Sequence, residues 1–334
     1  MNRISELFSG RVIDRGNDSF IAGPSGEEFR IPALPASEAD PSVRVNIIAM
    51  GDVGGTVLLG LRLLGSNLIS SIGIFDLNSA VTERYEREIN QVSFPDGRKM
   101  PKVRILSSDD CFDCDVFVFC ATKAVPPLGA DCDVRMAQLE ANKGLVELYA
   151  RRALAEGYKG LFAVVSDPVD PLCMAAANVG ICPSRIKGYG LGVMYARALY
   201  AAGELGFEEA FRASGRAFGP HGEDLVIADN VHEYSEEASQ ELTKRAVESN
   251  LITRQTGFKP YIAPAMSSAA ISIIETIRGG WHYSSVFTGE VFLGCRNRVQ
   301  NGLVEVEDLP LDRRLFSRIC NACDRLSEIM AYEG

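Results

Sequence analysis

The hydrophobic positions of this chain fall into short apolar runs that alternate, from about residue 43, with longer segments of helical periodicity. VRVNIIAM, SIGIFDL, VRILSS, DVFVFCAT and LFAVVS have the length of buried strands. Three helices are predicted between them: TVLLGLRLLGS opening at Thr56, a polar helix from Ser79 to about Asn90, and MAQLEANKGLVELYARRALAEG. Strands joined by helical crossovers predict an α/β fold, a doubly wound parallel sheet covered on both faces.

The pattern differs on either side of this unit. Residues 1–42 carry RVIDR, DSFIAG and EEFRIP between turn residues, which predicts a small β-meander, and then PALPASEADPS, which is typical of a linker. After about residue 185 the helices lengthen, TGEVFLGCRNRVQNGLVEV predicts an antiparallel hairpin around Asn301 and Gly302, and an amphipathic helix closes the chain. We therefore predict a β-rich extension and linker (1–42), a Rossmann domain (43–184) and an α+β substrate domain (185–334).

Composition narrows the classes of function. The chain has 334 residues, 46% of them hydrophobic, and a net charge of −10, which argues against a nucleic-acid partner. No stretch reaches the length of an apolar membrane span, and Met1 to Gly10 carries charges where a signal peptide needs an apolar block, so a cytoplasmic protein is expected. The nine cysteines are an odd number, which favours reduced thiols.

Two cysteine pairs, Cys111 with Cys114 and Cys320 with Cys323, have C-x-x-C spacing. That spacing occurs in zinc and redox sites, but a four-ligand site requires the two pairs to meet, and nothing in the sequence indicates that they do. Small packing residues are the other interpretation. We predict no metal site.

A candidate nucleotide-binding turn follows the first strand. IIAMGDVGG, residues 47–55, leads from a strand into a turn with Gly51 and Gly54, and the free N–H groups of the next helix suit a pyrophosphate. Ala49 replaces the first glycine of the usual G-x-G-x-x-G pattern, so the glycines alone are also consistent with a simple tight turn. The second strand ends at Asp76, whose carboxylate would accept the ribose hydroxyls of an adenosine and repel a 2′-phosphate. Together the two features predict NAD rather than NADP.

Further stretches give the chain a resemblance to the L-lactate and L-malate dehydrogenases over nearly all of residues 43–332. IIAMGDVGG, IFDLN, DVFVFCAT, VRMAQLEAN, VVSDPVDP, IKGYGLGVMYARALY, FGPHGEDLV, YIAPAMSSAA and EVFLGCRNRVQNGLVEV occur in the order of that family. The resemblance implies NAD-dependent hydride transfer, a dimer or tetramer, and a cofactor-binding set comprising Gly51, Asp52, Val53, Gly54, Asp76, Ala121, Asn142 and Ser166.

Reduction of a 2-oxo acid needs a proton donor for the carbonyl oxygen and a cation for the carboxylate. Of the three histidines, His221 is set apart by its glycine-flanked loop, GPHGED, and it resembles the catalytic histidine of the family. Arg197 resembles the carboxylate-binding arginine, since a guanidinium binds two oxygens in parallel. Arg135 resembles the arginine of a mobile loop that closes over the substrate.

Two positions depart from the family together. The family's strand ends in Ser-Asn-Pro-Val-Asp, but Asp167 replaces the asparagine; the family's aspartate behind the catalytic histidine is replaced by Met194. Asp167 is therefore either the relocated partner of His221 or an acceptor for an amino or imino group of the substrate. An amino- or imino-acid oxidoreductase and a non-catalytic NAD-binding protein stay open as alternatives.

The loop that selects the substrate also departs from the family. Malate dehydrogenases carry an arginine early in this loop, and Pro126 falls near its place within TKAVPPLG, residues 122–129. Lys123 could replace the arginine, but the apolar residues around it favour an apolar substrate side chain. We therefore predict hydride transfer between NAD and a monocarboxylic 2-hydroxy or 2-oxo acid, with His221, Arg197, Arg135 and Asp167 in the catalytic site.

Overall fold

A mixed sheet of eleven described strands organises the computed structural model, which describes residues 2–9, 11–16, 18–23, 41–123, 134–222 and 224–331. The strands are β1 (Asn2–Arg3), β2 (Arg11–Gly16), β3 (Ser19–Gly23), β4 (Val43–Ile48), β5 (Ile69–Phe75), β6 (Lys102–Ile105), β7 (Val116–Phe119), β8 (Leu161–Val164), β9 (Ile186–Gly188), β10 (Arg216–Phe218), β11 (Val226–Ala228), β12 (His282–Phe287), β13 (Phe292–Gln300), β14 (Leu303–Glu307) and β15 (Pro310–Leu311). The helices are α1 (Asp52–Leu64), α2 (Ser79–Asn90), α3 (Val134–Ala155), α4 (Val169–Val179), α5 (Leu191–Glu204), α6 (Glu208–Ser214), α7 (Glu236–Gln255), α8 (Ile271–Arg278) and α9 (Arg313–Ala331). A π-helical segment, Pro264–Ala270, leads into α8.

The parallel half of the sheet has the order β6-β5-β4-β7-β8-β9, and its neighbouring strands are all parallel. The chain moves outward from β4 in one direction to β6, then returns beside β4 and moves outward in the other direction to β9. This is the doubly wound arrangement that the alternating pattern predicts, so the predicted fold class is confirmed. The order reverses between β4 and β7, where ligands of such sheets usually bind.

Alternate residues of the central strands belong to two different cores. Val116 and Val118 of β7 pack in the core that also holds α1 and α8, whereas Phe117 and Phe119 pack in the core with α3 and α4. A strand covered on both faces has few polar positions, which is why these segments read as nearly continuous apolar runs. Asn46 of β4 is buried, and its side-chain amide donates to the carbonyl oxygens of Asp110 and Cys111.

Residues of the extension complete the other edge of the sheet. β3 pairs antiparallel with β14, and β2 pairs with β3. Phe20 of β3 is buried and meets Phe8 edge to face, with ring centroids 4.9 Å apart. The first two strands of the predicted meander are therefore present and form part of the fold; the third, EEFRIP, and most of the PALPASEADPS linker lie outside the described residues.

Local boundaries differ little from the predicted ones. The polar helix α2 and the hairpin around Asn301 and Gly302 are confirmed, but α1 begins at Asp52 instead of Thr56. The earlier start arises because Gly51 serves as the N-cap and the N–H of Gly55 already bonds to its carbonyl oxygen. One sheet runs from the predicted Rossmann domain into the substrate domain through β9 and β12, so the division near residue 184 stays a prediction.

The cysteines of the described chain are buried or half-buried. Burial raises the pKa of Cys111 to about 11 and that of Cys114 to about 12, which keeps both as thiols at neutral pH. Within the described ranges, no group of three or more metal-ligating side chains is found. The same residues include no helix with the length and apolar character needed to cross a membrane.

Candidate active site

The candidate residues converge because parallel strands present their carboxyl ends at one edge of the sheet. Gly51 follows β4, Asp76 follows β5, Ala121 follows β7, and Ser166 and Asp167 follow β8. These positions surround the place where the strand order reverses. The fold therefore brings the predicted cofactor turn and the carboxylate of Asp167 to the same crevice.

The turn between β4 and α1 has the form of an anion-binding site. Gly51 is the N-cap of α1 and no side chain caps its first turn. A Cβ at Gly51 would meet nothing within 4 Å, whereas one at Gly54 would lie 2.1 Å from the carbonyl oxygen of Ala49. The turn is thus open above Gly51, and Gly54 lets the helix approach the strand closely. Both features suit a dinucleotide pyrophosphate over the helix N-terminus.

Asp76 is fixed beside this turn by backbone donors. Its Oδ2 accepts the N–H of Met50 at 2.7 Å, and its Oδ1 accepts the N–H of Asn78 at 2.9 Å. Carboxylate oxygens have further lone pairs that could accept ribose hydroxyls. The residues of the turn and of the second strand therefore fit the adenosine half of NAD.

Asn142 and Ser166 tie the ends of β7 and β8 together. The side-chain amide of Asn142 donates to the carbonyl oxygen of Asp167 at 2.8 Å and accepts the N–H of Lys123 at 2.9 Å. The hydroxyl of Ser166 donates to the carbonyl oxygen of Ala121 at 2.8 Å. These side chains hold the backbone at the floor of the crevice, so their contacts support the candidate cofactor site.

Lys259 is a residue of the crevice that sequence reasoning missed. Its Nζ lies 3.0 Å from Oδ2 of Asp52, in the first turn of α1. A carboxylate at this position adds negative charge where a pyrophosphate would bind, and the ammonium offsets that charge. The pair joins segments far apart in the chain, so no local pattern could indicate it.

His221 and Asp167 meet in the crevice. His221 lies on the loop between β10 and β11, and its Nδ1 is 3.2 Å from Oδ1 of Asp167. The imidazole side chain is 14% exposed and the carboxylate 51% exposed. Because a carboxylate accepts only, this contact places a proton on Nδ1 and directs Nε2 elsewhere. Of the two interpretations of Asp167, the geometry matches the relocated partner of His221.

A second carboxylate fixes the backbone of the same loop. Asp170 is buried, and it accepts the hydroxyl of Ser285 and the backbone N–H of His221. Burial raises the pKa of Asp170 to about 6, against the lowering effect of the Ser285 hydrogen bond and of nearby His221. Gly190 allows the loop its close approach, since a Cβ there would lie 2.9 Å from the Cβ of His221. The histidine is thus held at its backbone and at its ring.

Arg197 lies on α5 within electrostatic reach of Asp167. Its Nη2 donates to the side-chain oxygen of Asn250, and its Nη1 is 3.5 Å from the sulfur of Met194. Burial lowers the pKa of Arg197 to about 10, which is still well above neutrality, so the guanidinium stays charged. A half-buried guanidinium beside a histidine–carboxylate pair suits a substrate carboxylate.

The remaining predicted residues are Arg135, the substrate loop, Lys123 and the two other histidines. Arg135 belongs to the first turn of α3, but its side chain and residues 124–133 of the substrate loop lie outside the described residues, as does Glu223. Lys123 is exposed, and its N–H is bound by Asn142. His282 is buried against Thr276 and Ser284, and His232 is exposed on the protein surface.

Known proteins similar to this chain are dehydrogenases. No family model matches it. It is 24% identical to L-lactate dehydrogenase 1 of Bifidobacterium longum over 310 residues, which cover 85% of this chain and 96% of that one. It is 23% identical to the L-lactate dehydrogenase of Corynebacterium jeikeium over 322 residues, 88% of this chain and 95% of that one.

Solved structures agree in fold. A lactate dehydrogenase from a Medee basin deep-sea metagenome library superimposes with a TM-score of 0.72 at 18% identity, covering 86% of this chain and 98% of that chain. The malate dehydrogenase of Aeropyrum pernix gives a TM-score of 0.73 at 17% identity, covering 86% and 97%. The chain is therefore similar to L-lactate dehydrogenases over most of its length, and it shares the fold of the lactate and malate dehydrogenases. The predicted resemblance is confirmed.

The two positions that depart from the dehydrogenase sequence pattern, Asp167 and Met194, are both described by the structure. Met194 is buried, and its sulfur lies beside Arg197, where the family pattern has an aspartate. The carboxylate that contacts the histidine comes instead from Asp167, at the end of β8. Asp167 follows β8, whereas Met194 belongs to α5, so the two positions lie on different elements.

Proposed function

We propose that this chain is an NAD-dependent oxidoreductase that interconverts a monocarboxylic 2-oxo acid and its 2-hydroxy acid. The observation that carries the proposal is the 3.2 Å contact between Nδ1 of His221 and Oδ1 of Asp167, with Arg197 beside them. Those three groups meet the needs of the reaction: a proton donor, a group that fixes its tautomer, and a cation for the substrate carboxylate.

The chain's own residues perform the following steps. Arg197 binds the substrate carboxylate and so orients the carbonyl group. NAD, held by the turn at Gly51 and by Asp76, would supply hydride-transfer chemistry at the substrate 2-carbon in either direction. Nε2 of protonated His221 gives its proton to the carbonyl oxygen, which becomes the hydroxyl group. Asp167 accepts a hydrogen bond from Nδ1–H throughout, which keeps the ring orientation and stabilises the imidazolium before transfer.

The remaining assignments belong to the same proposal. Asp76 would accept the ribose hydroxyls, which favours NAD, and Arg135 would close over the substrate as the resemblance implies. We also propose a cytoplasmic dimer or tetramer. Leu59, Leu63 and Leu64 of α1 are each about 40% exposed, a grouping that would suit burial against another subunit.

The test is oxidation of NADH, and separately of NADPH, against a panel of 2-oxo acids, each assayed with and without ammonium. Turnover of a monocarboxylic acid with NADH and without ammonium is the expected result. Turnover only with ammonium would assign the activity to imine reduction, with Asp167 serving a substrate nitrogen. Tight NADH binding without turnover of any acid would contradict an enzymatic role.

The charge pair of Asp52 and Lys259 gives a prediction for cofactor affinity. We expect Lys259→Gln to raise the Kd of NADH about 2- to 5-fold, because the carboxylate of Asp52 then acts uncompensated on the pyrophosphate; the effect is modest since both groups are exposed. Fluorescence titration of NADH measures it, and added salt should reduce the difference.

Two further variants separate this effect from a general change of charge. Asp52→Asn in the Lys259→Gln background should restore the wild-type Kd, because it removes the repelling group. Lys159→Gln removes an exposed charge just before β8, at the amino ends of the parallel strands and away from the candidate cofactor site. It should leave the Kd of NADH unchanged. An equal loss of affinity in Lys159→Gln would show that only net charge matters.

A further inference from the structure

A large cleft opens beside Arg197, between α5 and α7. Its volume is about 1080 Å³, slightly above the range of roughly 300–1,000 Å³ common for small-molecule sites. Val193, Ala196, Arg197, Tyr200, Ala201 and Glu204 line one wall, a spacing that places them along one face of α5. A three-carbon acid held by Arg197 would leave most of this space unfilled.

The two ends of the cleft differ in chemistry, because α5 and α7 run antiparallel. Arg245 of α7 contacts Glu204 near the C-terminus of α5, whereas Asn250 contacts Arg197 nearer its middle. At the first end Arg245 also pairs with Glu241 at 2.6 Å. Both carboxylates pair with Arg245, so this guanidinium is already engaged and offers little to a further anionic group.

The other end carries more apolar side chains, although Lys259 also lines it, and it adjoins the catalytic residues. Val193 and Ala196 line it from α5, and the segment after α7 crosses it with Phe258, Tyr261 and Pro264. Gly190, directly before α5, touches His221, so His221 lies at this end of α5. His221 and Asp167 do not themselves line the cleft. A substrate held between His221 and Arg197 would therefore lie next to this end of the cleft.

The cations of the cleft argue against a second carboxylate on the substrate. Arg245 is bound by Glu241 and Glu204, and Lys259 by Asp52. Lys244 follows Glu241 on the stretch of α7 that lines the charged end, away from the apolar end. A dicarboxylate bound by Arg197 would place its second carboxylate against apolar side chains, which is unfavourable without a counter-charge.

We propose that the cleft between α5 and α7 is a substrate subsite for a bulky apolar side chain, so that the enzyme acts on branched aliphatic or aromatic 2-oxo acids. The inference rests on the proposed 2-oxo-acid chemistry and deepens it. Exposed apolar side chains at the rim agree with this role: Tyr200, Ile252 and Phe258 are 71%, 61% and 75% exposed, and a ligand in the cleft would cover part of them.

The first experiment compares kcat/KM for pyruvate, 2-oxo-4-methylpentanoate, phenylpyruvate and oxaloacetate, with NADH as the reductant. We expect kcat/KM for the two bulky acids to exceed that for pyruvate by about 100-fold or more, since each methylene in an apolar pocket contributes about 10-fold or more. Oxaloacetate should be the poorest substrate. A preference for pyruvate or oxaloacetate would overturn the proposed substrate class while the proposed function stands; turnover of no acid would overturn the function itself.

The second experiment uses neighbouring residues as variant and control. Ile252 lines the cleft and Leu251 does not, although both are exposed side chains of α7. Ile252→Ala should lower kcat/KM for the bulky acids about 3- to 10-fold and leave pyruvate within about 2-fold, whereas Leu251→Ala should change neither. Equal effects of the two variants would overturn the subsite.

Light scattering tests whether a second copy of the chain, instead of a substrate side chain, occupies the cleft, because it measures the molar mass of the oligomer. If the cleft were an interface between copies, Ile252→Ala would lower the oligomer mass and reduce turnover of all acids alike. That outcome would also overturn the proposal. An unchanged mass with selectivity lost only for bulky acids is the expected result.

Discussion

We expect Asp167→Asn to lower kcat for reduction of a 2-oxo acid by about 10³- to 10⁴-fold, because the amide can present its N–H to His221 and stabilise the wrong tautomer. The variant also restores the asparagine of the family pattern. If Asp167 were only a defect in an otherwise conventional active site, Asp167→Asn would therefore raise the activity. Steady-state oxidation of NADH measures the loss. The kinetic constants distinguish a positioning role: the loss should appear in kcat with KM little changed, because Asp167 contacts His221.

A compensating variant makes this prediction specific. In Asp167→Asn/Met194→Asp the carboxylate stands where the family pattern has it, beside Arg197, and we expect kcat to recover to within about 10-fold of wild type. Met194→Asp alone should gain nothing, because His221 already has a partner. Retention of full activity by Asp167→Asn would contradict the relocated carboxylate, and failure of the double variant to recover would assign Asp167 another role in the reaction.

The sequence was sufficient for features that are local or that follow from topology. Buried strands appear as apolar runs, and a parallel sheet brings the residues after its strands to one edge, so the convergence of Gly51, Asp76 and Asp167 could be predicted. The paired exchange of Asp167 and Met194 left two roles open for Asp167, and the 3.2 Å contact with His221 agrees with one of them. Each of these inferences needed only strand order or a family position.

Contacts between distant segments could not be predicted in this way. Asp170 reaches Ser285 across 115 positions, Asp52 reaches Lys259 across 207, and Arg197 reaches Asn250 across 53. Periodicity shows which face of a helix is buried but not which helix it meets. The cleft between α5 and α7 is the clearest case, because its walls are two amphipathic faces whose antiparallel pairing only the structure shows.

The second large effect concerns Arg197. We expect Arg197→Lys to lower kcat/KM for the 2-oxo acid by about 100-fold or more, because an ammonium cannot form the two parallel hydrogen bonds that a guanidinium makes with a carboxylate. The side-chain oxygen of Asn250 would also lose the hydrogen bond that it now accepts from Arg197. Most of the loss should appear in KM, since Arg197 binds the carboxylate in both the ground state and the transition state.

Controls separate this loss from a loss of charge or of folding. Arg212→Lys, on the exposed surface of α6, makes the same exchange away from the site and should leave kcat/KM unchanged. Thermal unfolding should show both variants folded, and the Kd of NADH should be unaltered because Arg197 lies outside the proposed cofactor site. If Arg197→Lys kept its KM while losing kcat, the guanidinium would act on the reacting carbonyl, and the carboxylate would be bound elsewhere in the crevice.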